Sequence, residues 1–404
     1  MPGIAQWIVL IAAPALAAQT AETIRIARIR AKAQVNLSGL PNYTCTQTIE
    51  RSQRRAKTRR FQLVDTIRLE VALVGGKELF AWPGQAKFDD RELREMVGGT
   101  IGNGNFALHA RSVFLSSAPT YEYEGEREVD GRKLYRYHYR VPRFRSSYLL
   151  RSGKMEGVAG YHGTFDADAA TLDLVRLEVV AEDIPPHLPI AAARDEMYYA
   201  RVPIGGGDYL LPQSSVLTLT DLDGTESRNR VTFAGCRQYG IESTIRFDDP
   251  PPGEAAPPPP AVEVDLPEGL MLETTLETAV SLQPPVIGAP FEARLVRDAK
   301  VKGKTWVPRG AVARGRILSQ QRFYQRMETL VLRLELADLE FPGAHAEIRA
   351  LPEEIFAMAA ASGRAGVGKQ GIIYVYGPRR DLATGTRITW RVVAKNKEEG
   401  RQTQ

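Results

Sequence analysis

Apolar and polar residues alternate with period two along most of this chain and follow the helical period in only a few places. Asp65 to Val74 shows the first kind. Ile67, Leu69, Val71 and Leu73 fall on one side and Arg68 and Glu70 on the other, the pattern of a half-buried strand. Gly75-Gly76 turns the chain and Glu78 to Trp82 returns, so a hairpin is expected. Asn42–Ile49 reads as a strand ahead of it. From Thr120 onward the strands continue: Tyr121–Glu128 with Arg132–Val141, then Gly163–Asp166, Leu172–Glu182, Met197–Val202, Leu217–Asp221 and Asn229–Tyr239. Residues 20–36 carry the helical period, with Ile24, Ala27, Ala31 and Val35 at three-to-four spacing and Arg25, Arg28 and Lys32 opposite. Short helices are expected at Asp89–Val97 and Phe106–Leu115 around a glycine-rich joint. A leading helix, a long antiparallel run and few further helices predict a mainly β (α+β) chain, an antiparallel half-barrel sheet with helices packed on one face.

One hairpin poses a register choice. A two-residue turn at Asp130-Gly131 would set Tyr123 opposite His138 and Glu124 opposite Tyr137. A three-residue loop, Val129-Asp130-Gly131, would set Tyr123 opposite Tyr137, Tyr121 opposite Tyr139 and Glu124 opposite Arg136. Two aromatic pairs and one charge pair favour the second, so a three-residue loop is expected, with the tyrosines turned to the core.

The sharpest boundary is residues 249–262, with seven prolines in 14 positions. Such a run forms neither helix nor central strand and acts as an extended spacer. Beyond it, strands are expected at Leu270–Leu276, Pro290–Val296, Val312–Gln320, Thr329–Leu336, His345–Arg349, Gly371–Val375 and Arg387–Val393, with one helix at Glu353–Ala360. Short strands with Pro/Gly turns suggest a small β-barrel or sandwich. The N-terminus, apolar from Ile8 to Ala13 and followed by Ala15-Leu16-Ala17, reads as a secretory signal peptide. The expected division is therefore signal peptide 1–17, half-barrel domain 18–248, proline-rich linker 249–262, barrel domain 263–396 and disordered tail 397–404. No later apolar run reaches membrane-spanning length, so the mature chain is expected to be soluble and periplasmic or secreted, without a transmembrane segment.

Composition narrows the chemistry. The 404 residues carry 53 Lys+Arg against 48 Asp+Glu, a weak preference for anionic partners. Two cysteines and five histidines exclude a cysteine-rich scaffold and make no metal site. Cys45 lies in the first expected strand and Cys236 in the last of the same domain, and in an exported chain two cysteines usually pair; a disulfide is expected. No G-x-S-x-G, H-E-x-x-H or P-loop is present, so no catalytic residue and no cofactor is assigned. Gly98 to Gly104, Gly205-Gly206-Gly207 and Gly363 to Gly371 read as turns or loops. Asp166 with Asp168 and Asp221 with Asp223 offer too few oxygens for calcium. The densest charge is Arg51 to Arg60, where Arg51, Arg54, Arg55, Lys57, Arg59 and Arg60 form a candidate contact for anionic head groups or glycans. Nucleic acid is not an expected partner of an exported chain.

Two resemblances add to this. On Leu40-Pro41-Asn42-Tyr43-Thr44-Cys45-Thr46-Gln47-Thr48-Ile49-Glu50-Arg51 and Phe233-Ala234-Gly235-Cys236-Arg237-Gln238-Tyr239 the N-terminal domain resembles a family of uncharacterised secreted bacterial proteins. In layout, and at Gly163-Thr164-Phe165-Asp166-Ala167-Asp168 followed by Leu174-Val175-Arg176-Leu177-Glu178, it is similar to the periplasmic LolA-like lipoprotein-carrier fold. That likeness implies an apolar cavity able to take acyl chains but carries over no ligand residue; the alternation of Ile67, Leu69, Val71 and Leu73 makes them the candidate face of such a cavity. The C-terminal domain resembles the barrel of TrbI-type conjugation-channel proteins at residues 287–295 and at Val307-Pro308-Arg309-Gly310-Ala311-Val312-Ala313-Arg314-Gly315.

The leading expectation is a non-enzymatic envelope protein that binds a lipid or lipoprotein-like ligand in the half-barrel and an envelope protein through the barrel domain. The alternative is a structural or assembly protein that binds only proteins or glycans, and the third a hydrolase with an unrecognised site.

Overall fold

In the computed structural model, residues 12–83, 85, 88, 93, 108–239, 262–282, 286–324, 328–356, 365–377 and 381–394 are described, without side chains at 12–19, 322–324 and 328. They divide into two compact units. The first lies within Met1–Leu63, Glu70–Phe80 and Phe88–Gly240, the second within Val64–Leu69, Ala81–Lys87 and Ile241–Gln404. The expected signal peptide as far as Ile11, the expected helix at Asp89–Val97 apart from Leu93, the glycine cluster 98–104, all of the expected linker but Val262, and the tail 397–404 lie outside the described residues.

The first unit is a long antiparallel meander. A helix α1 (Ala12–Ser38) leads into β1 (Tyr43–Arg54), β2 (Gln62–Val74) and β3 (Lys77–Ala81). A short helix α2 (Leu108–Phe114) precedes β4 (Thr120–Val129), β5 (Arg132–Val141), β6 (Tyr148–Ser152) and β7 (Met155–Asp168). Then follow β8 (Leu174–Glu182), β9 (Ile190–Ile204), β10 (Gly207–Asp221) and β11 (Glu226–Gln238). The sheet order is β2-β1-β11-β10-β9-β8-β7-β5-β4, with β3 on β2 and β6 on β7. Each strand from β7 to β11 pairs with its sequence neighbour, and the last strand returns to pair with the first. The period-two alternation drives this, because each slip of one residue would turn the apolar set to water.

The structure corrects three details of the sequence reading. In α1 the buried stripe is not Ile24, Ala27, Ala31 and Val35. Ile24 is 55% and Val35 68% exposed, while Ile29 and Ala33 are buried and Ile26 and Leu37 pack against the same core. The period was right and its phase was not: the second stripe has the same spacing and carries the larger apolar groups at its centre. In the β4–β5 hairpin the loop is the two-residue Asp130-Gly131, both at positive φ (50° and 74°), a type I′ geometry. Yet Tyr121 still faces Tyr139 and Tyr123 faces Tyr137. A bulge between Tyr123 and Gly125 absorbs the one-residue difference, with Gly125 at φ 122°, so turn chemistry and aromatic pairing are both satisfied. Glu124, in the bulge, still reaches Arg136 at 3.3 Å.

The third correction lies in the second unit. The expected helix at Glu353–Ala360 is strand as far as it is described: Ala344–Phe356 is continuous, with Glu354, Ile355 and Phe356 opposite Thr389, Ile388 and Arg387. Pro352 sits at a register shift, where a missing N–H is tolerated. Six strands close a barrel in the order 271–276, 290–295, 312–324, 328–341, 344–356 and 387–392, the last pairing with the first. Phe291 stacks on Trp390 at 5.9 Å inside it, and the Trp390 indole donates to Thr274 Oγ1 at 2.9 Å. The turn at Val307-Pro308-Arg309-Gly310 closes with Gly310 at φ 88° and feeds the strand Val312–Tyr324. Among the described residues no helix is long and apolar enough to cross a membrane.

Candidate functional site: the roofed face of the first unit

The inner positions of β5, β7, β8 and β9 form one apolar surface, and α1 and α2 roof it. Ile29 and Ala33 of α1 and Ala110, Val113 and Phe114 of α2 share a single buried cluster with Tyr137, Tyr139, Phe165, Leu177 and Met197. Aromatic rings dominate. Tyr137 stacks on Phe165 at 5.3 Å, Phe114 meets Phe165 edge-on at 5.0 Å, and Tyr123 lies 5.1 Å from Tyr137. Edge-to-face and offset arrangements of this kind add to the gain from burial itself. Tyr139 lies opposite Gly163, and its hydroxyl donates to the Glu178 carbonyl at 2.7 Å. A Cβ on Gly163 would fall 1.9 Å from that same oxygen, so this glycine is what lets the ring lie across the sheet.

Polar groups fasten the roof at its margins. The Arg25 guanidinium lies over the rings of Tyr123 and Tyr135 at 4.6 and 4.5 Å. Arg30 lies over Tyr121 and donates to the Ser116 carbonyl just past the end of α2, a favourable place for a cation. Burial pushes the Asp173 carboxyl up, but Asn36 and Arg201 both donate to it, and these bonds with the nearby cations hold it below its usual pKa.

Beneath α2 lies a polar spot that sequence reasoning missed. Asp195 of β9 is buried and His109 of α2 half-buried, with Nε2 and Oδ2 3.7 Å apart. Burial pushes the Asp195 carboxyl up to about 7 and the His109 imidazole down to about 4. The spacing would suit an ion pair, but 3.7 Å is too long for a hydrogen bond. Desolvation drives each group to its neutral form, and the neutral pair is the state we assign between about pH 4 and 6.5. Asp195 Oδ1 has no hydrogen-bond partner. The Tyr148 ring packs on His109 at 5.8 Å, and burial together with Asp195 raises the phenols of Tyr148 and Tyr199. His109 and Asp195 stand 86 residues apart and belong to no motif, so only the fold joins them.

The residues singled out in the sequence are placed as follows. Cys45 and Cys236 form a disulfide between β1 and β11, Cα to Cα 4.1 Å. Ile67, Leu69, Val71 and Leu73 are all buried, Ile67 and Leu69 within the second unit and Val71 and Leu73 within the first. None of the four belongs to the cluster under the helices. Of the basic run, Arg54 binds Glu226 through both carboxylate oxygens at 2.6 Å, and Arg51 is half-buried. Arg55, Lys57, Arg59 and Arg60 are exposed. Asp168 caps the turn after β7 by accepting from the Ala170 and Thr171 amides, and Asp166 lies beside Arg136 and Arg176. Among the described residues no cluster of three or more His, Cys, Asp or Glu could hold a metal. In the second unit a cavity of about 200 Å³ is lined by Arg333, Leu334, Arg349, Leu351, Gln370 and Gly371.

No family model and no curated protein matches the chain. Among solved structures it is similar to a LolA superfamily protein from Nitrosomonas europaea, at 10% identity and TM-score 0.28 over 54% of this chain and 94% of that one. It is also similar to a DUF1329 family protein from Desulfovibrio piger, at 9% identity and TM-score 0.28 over 53% of this chain and 93% of that one.

Proposed function

We propose that the first unit is a non-enzymatic, exported binding module that holds an apolar or amphipathic ligand between its sheet and the two helices. One observation carries this reading: an aromatic face roofed by two helices rather than by a second sheet, with a buried carboxyl under the roof whose Oδ1 has no hydrogen-bond partner. A core selected for stability alone has little use for Asp195, since a buried carboxyl oxygen left unsatisfied costs about 1–3 kcal/mol. The same group suits the polar end of a ligand whose chain replaces α1 or α2 against the rings. The disulfide fits an oxidising compartment such as the bacterial periplasm.

Native mass spectrometry of gently purified protein, with displacement of a fluorescent fatty acid from delipidated protein in vesicle-free buffer, tests this. Co-purifying lipid and saturable fatty-acid binding are expected, the binding being weakened by Phe165→Ala. Protein free of lipid that also fails to bind the fatty acid would leave the protein-only or glycan-only assembly role in its place.

A further inference from the structure

One end of the first unit gathers exposed apolar side chains and unpaired cations. Strand register defines this rim. Arg54 at the end of β1 faces Glu226, Asp221 at the end of β10 faces Ile190, and Glu182 at the end of β8 faces Gly160. Val141, which closes β5, faces Tyr161. The loops after these strands therefore lie along one edge. Gly224 in the β10–β11 turn confirms the neighbourhood, since a Cβ there would stand 3.1 Å from Ala56 in the β1–β2 loop.

Three features of the rim point to one partner. After β5, a 3₁₀ turn, Arg143–Arg145, presents Phe144 at 86% exposure. The turn is held in place, because the Ser146 amide donates to the Arg143 carbonyl and Arg145 donates to the Ser117 carbonyl. Phe144 is thus displayed between two exposed arginines in sequence, Arg143 and Arg145. Farther along, Arg54 and Arg228 both lie over the Phe61 ring, at 4.8 and 3.8 Å. This seats the base of the β1–β2 loop and leaves Arg55, Lys57, Arg59 and Arg60 in solvent. Leu222, 68% exposed, tops the adjoining turn. The exposed acids of this edge include Asp183 and Asp223, fewer than the cations, while Glu182 and Glu226 are already paired with Arg140 and Arg54.

We propose that this rim docks on a lipid bilayer surface carrying anionic head groups, with Phe144 at the boundary of head groups and acyl chains. An aromatic ring flanked by cations suits that boundary, where apolar area and phosphate charge meet. Each cation near such a surface raises partitioning about fivefold, an effect that fades beyond a Debye length and in salt. The proposal goes beyond the interior-ligand reading and does not depend on it.

Flotation of the full chain with phosphatidylcholine vesicles, with and without phosphatidylglycerol, tests it. Binding should require the anionic lipid and fall as salt rises. Phe144→Ala should weaken it roughly tenfold, and the combined Arg55→Gln, Lys57→Gln, Arg59→Gln and Arg60→Gln variant by more. Lys77→Gln with Lys133→Gln, at turns of the opposite edge, should leave it unchanged. A Phe144→Trp variant should show a blue-shifted emission increment on anionic vesicles only. Equal binding to both vesicle types, equal loss from the opposite-edge variant, or retention on an anionic polysaccharide without vesicle binding would each overturn the proposal. The fatty-acid titration uses no vesicles, so the failure of either reading is visible apart from the other.

Discussion

Asp195 and His109 show how burial sets chemistry one side chain at a time. The carboxyl rises from its usual 3.8 to about 7 and the imidazole falls from 6.5 to about 4, both because burial penalises charge. A raised acid stabilises the fold below its unfolded pKa, and that contribution is lost as pH rises toward 7. A lowered base stabilises it above 6.5, and that contribution is lost as pH falls toward 4. Between about pH 4 and 6.5 the folded pair holds its one proton on Asp195 and the unfolded chain holds it on His109. Proton numbers match and the two trends cancel. Each single variant should uncover the other trend. Asp195→Asn should gain stability with rising pH across that window, by about 1.4 kcal/mol per unit, and His109→Gln should lose it. Urea midpoints measured from pH 4 to 7 check this, and parallel profiles for wild type and both variants would refute the assignment.

At the scale of elements, periodicity carried most of the information. Most of the long strands in both units were legible because alternation of apolar and polar residues is a local signal, whereas 353–356, expected as helix, is strand. The phase of α1 was not, because two neighbouring stripes share the same spacing and only the aromatic surface of β5 and β7 selects between them. Ile29→Ala should therefore cost about 2–4 kcal/mol through the cavity it leaves. Ile24→Ala, on the stripe the periodicity first suggests, should cost under about 0.5 kcal/mol. Thermal or chemical denaturation of the two variants decides between the stripes. The β4–β5 hairpin follows the same logic. Turn type and side-chain pairing each made a correct demand, and only a bulge at Gly125, which neither signal foretells, reconciles them.

At the scale of the molecule, the first unit is tied where its first and last strands meet. Between Thr44, opposite Arg237, and Thr46, opposite Ala234, β1 has one residue and β11 has two. Cys45 thus lies across a bulge made by Gly235, at φ 60°, and Cys236. The bond closes a loop of 191 residues, for which chain entropy gives about 5 kcal/mol at most. Reduction, or Cys45→Ser with Cys236→Ser, should lower stability by about 2–5 kcal/mol, read as a shifted urea midpoint. An unchanged midpoint would show that the strand pairing alone holds the two ends.

What the sequence determined by itself was the material of the fold: strands by alternation, turns by Gly and Asp-Gly, the pairing of its two cysteines by their number and the expected export. These signals reside in neighbouring residues, so they are readable before any contact forms. Tertiary structure alone decided which stripe of α1 is buried, that α2 sets His109 against Asp195, and that one rim collects Phe144 with the loop cations. Those groups are brought together by strand register across tens to hundreds of residues, and register is a property of the assembled sheet, where burial and charge act on whatever it makes neighbours.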